Sequence, residues 1–142
     1  MATERERSEW PLTVLDTHAL IWYLEGNPRL GTAAKIAMDD VASEMVLPAI
    51  ALAEALYIVD KGRTSITSAS DLLTDVTADA RIEVFPLTLE VLRQSLAATQ
   101  IPEMHDRLIA ATALHLRAEG SKVAILTRDS GLSDAAPVPI VW

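Results

Sequence analysis

Leu12-Thr13-Val14-Leu15-Asp16-Thr17-His18 decides how this chain is read: an apolar run of β type ends on a carboxylate, and a helical pattern begins at once afterwards. Asp16 is thereby presented at the carboxyl end of a strand. In open α/β sheets that edge collects ligand sites, because its loops diverge above a rigid sheet. Three further acids, Glu54, Asp106 and Asp129, occupy comparable places at the ends of apolar segments. The four are expected to converge on a divalent metal.

Outward from that stretch, His18 to Glu25 reads as a helix broken by Gly26-Asn27-Pro28, and a second helical segment covers about Gly31 to Val41. Met45-Val46-Leu47 is a short buried strand. Pro48 suits a first helical turn, and Ala49 to Lys61 follows with strong helix formers until Gly62. Glu54 shares a face with Ala51, Ala55 and Ile58, so its side chain is directed toward the core side. Ser68 to Asp79 continues as a helix, Arg81 to Phe85 alternates as a strand, and Thr88 to Thr99 is a helix with Thr88 as N-cap. After Ile101-Pro102 comes an alanine-rich helix with Asp106 in its first turn, where helix amides and dipole favour negative charge. Val123-Ala124-Ile125-Leu126 is a continuous apolar strand with Thr127-Arg128-Asp129 at its carboxyl end, and the last strand covers Val138 to Trp142. Short apolar strands alternating with helices imply a mainly parallel sheet covered on both faces, with Asp16 and Asp129 on one edge.

The 142 residues, half of them hydrophobic, suit one domain over 11–142, preceded by a charged, mobile tail at 1–10. Without cysteine there is no disulfide, thiolate zinc site or cysteine nucleophile, so a metal must use oxygen or the three histidines. No secretory signal opens the chain and no apolar run nears the roughly 20 residues that span a bilayer, which points to a soluble, cytoplasmic protein with no membrane partner. Twenty acids against twelve bases argue against a broad basic face for duplex binding. They leave a nuclease open, since carboxylates that hold a dication must be negative beforehand.

Clustered carboxylates repel one another and raise their own pKa values unless cations compensate. Magnesium or manganese supplies that charge through oxygen ligands and retained water, and a water acidified by the ion can attack a phosphodiester.

Val14 to Trp22, the helical Glu54, Asp106-Arg107-Leu108-Ile109-Ala110-Ala111-Thr112-Ala113 and Leu126-Thr127-Arg128-Asp129 resemble, in order and spacing, the motifs of PIN-domain ribonucleases. The nearest subgroup is the VapC-type toxins of bacterial toxin-antitoxin pairs, and the likeness covers about residues 12 to 142. It implies a three-layer α/β/α PIN-like domain and metal-dependent endoribonuclease activity on RNA, leaving 5′-phosphate and 3′-hydroxyl ends. It also implies a homodimer and a cognate antitoxin of VapB type. By the same resemblance Asp16 and Asp106 are the principal ligands of Mg2+ or Mn2+, and Glu54 and Asp129 complete the acidic pocket directly or through water. Thr127 supports the site by hydrogen bonding.

The chain departs from the pattern twice. Ala51 replaces a serine common three residues before the helical glutamate, and Glu103-Met104-His105-Asp106-Arg107 replaces Asp-Pro-x-Asp-Arg. Glu103 reads either as an auxiliary acid or, preferred, as a solvated residue before the helix. Arg107 and Arg128 flank site acids and are candidates for RNA phosphates, whereas Lys61 and Arg63 read as surface charge. His18 is assigned to packing or loop contacts, His115 to an ordinary helix position, and Trp22, Tyr23 and Leu24 to core or subunit interface. Two other classes fit a strand ending in Asp. An aspartate-nucleophile phosphatase would want a second Asp where His18 stands. A catalytically inactive partner-binding domain should have lost one of the four acids.

Overall fold

The computed structural model describes residues 10–142. The expected tail therefore lies outside the described residues, except for Trp10, whose ring sits 4.9 Å from Lys122 Nζ. The chain runs β1 (Leu12–Leu15), α1 (Thr17–Glu25), α2 (Thr32–Asp39), β2 (Glu44–Pro48), α3 (Ala49–Asp60), α4 (Ala69–Ala78), β3 (Ile82–Phe85), α5 (Leu89–Ser95), α6 (Met104–Ala118), β4 (Val123–Leu126), α7 (Ser130–Ala135) and β5 (Ile140–Val141). The final strand is shorter than the expected 138–142.

All five strands are parallel, in the order β3-β2-β1-β4-β5. Covered on both faces, the central strands need no polar alternation, and Val14, Leu15, Met45, Val46, Leu47 and the whole of β4 are buried. The edge strand β3 instead exposes Glu83, a charge that discourages edge-to-edge pairing. Helices on the two faces make three layers. Ala110, Ala111 and Ala113 are buried in α6, together with Ile109, where the helix packs on β1 and β4. Gly26, at φ 63°, adopts the left-handed conformation that ends α1, and its amide donates back to the carbonyls of the last turn. Arg81 ties the entry of β3 to the end of α2: its guanidinium donates to the Met38 carbonyl at 2.6 Å and the Asp40 carbonyl at 3.1 Å while pairing with Asp79 at 2.9 Å. No helix among the described residues is long and apolar enough to cross a membrane.

Strand order has a direct consequence for function. From β1 the chain steps outward to β2 and β3, then returns to place β4 on the other side of β1. The reversal opens a crevice beyond the carboxyl ends of β1 and β4, the general location of ligand sites in such sheets. Leu15 and Leu126 are in register there, and the Asp16 amide donates to the Leu126 carbonyl at 3.3 Å.

Candidate active site

Asp16 leaves β1 and caps α1. Its Oδ1 accepts the Ala19 amide at 2.7 Å, and its Oδ2 accepts the Thr127 hydroxyl. Only 7% exposed, the carboxyl is pushed to a higher pKa by burial, against the opposing pull of those two hydrogen bonds. Thr127, at the end of β4, is fully buried and also accepts the Asp129 amide at 3.0 Å. Asp129 caps α7 by accepting the Leu132 amide on Oδ2 at 2.9 Å. One hydroxyl thus links the acids that follow β1 and β4.

Asp106 reaches the same place from the first turn of α6. Burial, then the negative charges of Asp129, Glu103 and Asp16, push its carboxyl up to about 7. Asp16, Asp106 and Asp129 therefore form one electrostatically coupled group across the crevice. Glu54, half-buried on α3, stands at the flank, 3.8 Å from His105 Nδ1. It shares a cavity of about 670 Å³ with His18, Tyr57, Arg63 and His105.

Glu103 is exposed and stands just before the helix, as the preferred reading has it, and it has a structural part besides. Its carboxylate caps α6, accepting the Asp106 amide on Oε2 at 2.9 Å and meeting His105 Nδ1 on Oε1 at 2.6 Å. That contact raises the pKa of His105. The signal was an acid three residues ahead of the amide it caps. Ala51 is buried in the core and offers no hydroxyl. The Arg107 guanidinium is engaged by the loop before its helix, donating to the carbonyls of Ile101 and, at 3.0 Å, Thr99. Arg128 is exposed, lies 5.8 Å over the Trp22 ring, and lines a cavity with Asp16, His18, Trp22, Asp129 and Ser130. Sequence reasoning missed His18, Trp22 and Arg63 as lining of the site, because no local pattern separates them from packing or solvated residues.

The donor set suits a hard dication: three neighbouring carboxylates, one of which, Asp106, is pushed up to about 7 by burial and then by the negative charges beside it. Among the described residues no three Asp, Glu or His side chains are arranged as a ready metal cage. A set of this kind matches an ion that keeps much of its water, as magnesium does.

Fold and site together define an α/β/α domain with an acid group at the switch point of a parallel sheet. The family model for the PIN domain matches residues 13–137. The chain belongs to the PIN-domain family.

Several solved structures share the fold. The chain is similar to VapBC2 from Rickettsia felis, bound to a DNA fragment from its promoter, at 15% identity and a TM-score of 0.62, over 91% of this chain and 96% of that one. It is similar to FitAcB from Neisseria gonorrhoeae at 19% identity and a TM-score of 0.61, over 90% and 95%. A toxin-antitoxin complex from Klebsiella pneumoniae matches at 20% identity and a TM-score of 0.62, over 92% and 96%. Among curated protein sequences there is no significant match.

Proposed function

We propose that this PIN domain is a magnesium- or manganese-dependent endoribonuclease and the toxin of a VapC-type toxin-antitoxin pair. The observation that carries the reading is the coupled group Asp16, Asp106 and Asp129, with Asp106 pushed up to about 7. Burial and the repulsion among these acids disfavour the charged carboxyl, and a bound cation would offset both. Asp16 and Asp106 would hold the ion, with Glu54 and Asp129 completing the pocket directly or through water. Once bound, the ion supplies charge against the phosphoryl oxygens and a more acidic water. Thr127 keeps Asp16 oriented, and Arg128 stands beside the acids as a phosphate contact.

The toxin reading is supported by the complexes named above, whose chains share this fold. An acidic pocket is also a receptor for an inserted arginine, which would pair with the carboxylates and block the site. A homodimer is supported by exposed leucines on and just after α5: Leu89, Leu92 and the C-cap Leu96 recur at spacings of three and four, and apolar patches of that kind mark interfaces.

The test is titration of the purified protein with manganese in the presence of total RNA, followed by mapping of the cut ends. Cleavage leaving 5′-phosphate and 3′-hydroxyl ends, abolished in Asp16→Asn and Asp106→Asn proteins that remain folded, is the expected result. Undiminished cleavage in excess EDTA overturns the metal requirement. Release of inorganic phosphate from a monoester, with RNA left intact, replaces the nuclease with a phosphatase.

A further inference from the structure

Three cavities open along the exposed side of α1, and His18 lines all of them. One holds Arg128 and Ser130 beside Asp16 and Asp129. The second holds Glu54, Tyr57, Arg63 and His105. The third holds Trp22, Glu25, Asn27, Arg29, Arg63 and Thr64. The three cavities adjoin at His18, and one of them reaches the carboxylates of Asp16 and Asp129. We propose that the groove they form is a track for single-stranded RNA, with His18 as its central contact and Arg128, Arg63 and Arg29 as its phosphate contacts; the proposal rests on the nuclease reading of the acid site.

Charge is the first argument. In a chain of formal charge -8, a cluster of carboxylates would repel a polyanion unless cations stood on its approaches. Three guanidinium groups do so, all of them exposed. Among the described residues none of the three forms an ion pair within 4 Å. Arg128 is on one side of His18, and Arg63 and Arg29 are on the other.

The second argument is that the turn carrying Arg63 is held in place by its neighbour Ser65. Arg63 lies in the turn after α3, which would otherwise be free to swing. Glu25, at the end of α1, accepts the Ser65 amide at 2.8 Å and the Ser65 hydroxyl at 3.2 Å on one oxygen, and the Asn27 side chain at 3.2 Å on the other. That latch holds the turn against α1; Glu25 keeps its negative charge, and the neighbouring Arg29 is the cation that offsets it.

The third argument is the chemistry of the lining. His18 is exposed, with its ring 5.3 Å from that of Trp22, and Tyr57 is 60% exposed at the groove's other wall. Flat rings alternating with guanidinium groups are how single strands are held without reading sequence, by stacking and by backbone contacts. The floor is mixed: Ile50, Ala53 and Ile58 lie among His18, Glu54, Arg63 and His105, which breaks the unbroken apolar stripe that an amphipathic protein helix would need.

Binding is measured on the full-length Asp106→Asn protein with magnesium, so that cleavage does not confuse it. The probe is a labelled single-stranded oligoribonucleotide of about 12 nucleotides, within the usual site sizes, titrated by fluorescence anisotropy between about 50 and 200 mM salt. Arg128→Gln and the pair Arg29→Gln with Arg63→Gln should each weaken binding about 3- to 10-fold, and lower the salt slope by roughly 0.7 per lost phosphate contact. His18→Ala should weaken binding with little change in slope. Lys122→Gln, before β4 at the opposite edge of the sheet, should match the parent.

Equal losses in the Lys122 and groove variants, or no loss in the groove variants, overturn the track. Groove variants that spare RNA binding but weaken association with the adjacent gene's product also overturn it, in favour of a protein occupant. Weakened RNA binding in a protein whose wild type never cuts RNA removes the nuclease reading and leaves the track. Cleavage by the wild type with unaltered KM in groove variants removes the track alone.

Discussion

Thr127 and Asp16 join the ends of β4 and β1 through one hydrogen bond, with the Thr127 hydroxyl donating to Asp16 Oδ2 and accepting the Asp129 amide on its other side. Removing that hydroxyl leaves a buried carboxylate short of a partner. Thr127→Val should cost about 1–3 kcal/mol of stability and, if the acids hold a metal, weaken it by roughly 10–100-fold. Thr127→Ser should restore both. Thermal melts with and without magnesium check it, and a Val variant as stable as the parent contradicts it.

Asp106 sets a pH dependence of known sign. Its carboxyl ionises in the fold only at about 7, against 3.8 for the ordinary group. The fold therefore carries no penalty from it below about 4, an increasing one as pH rises, and the full one above about 7. Asp106→Asn should melt higher than the parent in EDTA at pH 7.5, by on the order of 1 kcal/mol after allowance for solvent screening. The advantage should vanish near pH 4. Magnesium should raise the parent's melting temperature more than the variant's.

Gly31 admits the last residue of the sheet edge. A Cβ there would meet the Trp142 backbone and lie 2.7 Å from its Cδ1. Trp142 packs edge-on against Trp22, with ring centres 5.8 Å apart. Gly31→Ala should therefore destabilise by about 1–3 kcal/mol and shift tryptophan fluorescence, as the Trp22–Trp142 contact opens. An unchanged spectrum and melt would show that the edge yields without cost.

The exposed leucines on and just after α5 test the homodimer. Leu92 and Leu96 are 43% and 76% exposed, so charge at either costs the monomer little. Leu92→Glu with Leu96→Glu should turn a dimer into a monomer by light scattering, with the melt of the monomer unaffected. A parent already monomeric at high concentration rules the dimer out.

Thr13 gives a change of opposite sign. Its hydroxyl is buried in β1 with no hydrogen-bond partner. Thr13→Val replaces it with a methyl group of the same shape and should stabilise the protein by about 1 kcal/mol. Denaturant melts at constant m-value measure it.

Much of this architecture was already legible along the chain. The unbroken apolar runs of β1, β2 and β4 announced strands covered on both faces, and the alanines of α6 announced close packing. Ser68 and Thr88 were visible at helix starts and do accept the amides of Asp71 and Val91. These features depend on neighbours within a few residues, so periodicity and end chemistry suffice to read them.

Other features needed the folded chain. Thr127 meets Asp16 across 111 residues, and Glu25 latches Ser65 across 40. No local pattern marks such pairs, because they exist only once strand order has closed the chain on itself. The same holds for charge: Asp106 has the composition of any helix-start acid, and what lifts its pKa is burial beside Asp129, Glu103 and Asp16. The Arg107 side chain donates to the Thr99 carbonyl, and Arg63 lines a cavity with Glu54, contacts that no neighbouring residue in the chain announces. The sequence by itself determined which segments are strands and helices and which acids end them. Tertiary structure alone decided which side chains share a field and which cations remain free, since Coulomb and hydrogen-bond energies depend on distance in space and on the water excluded between groups.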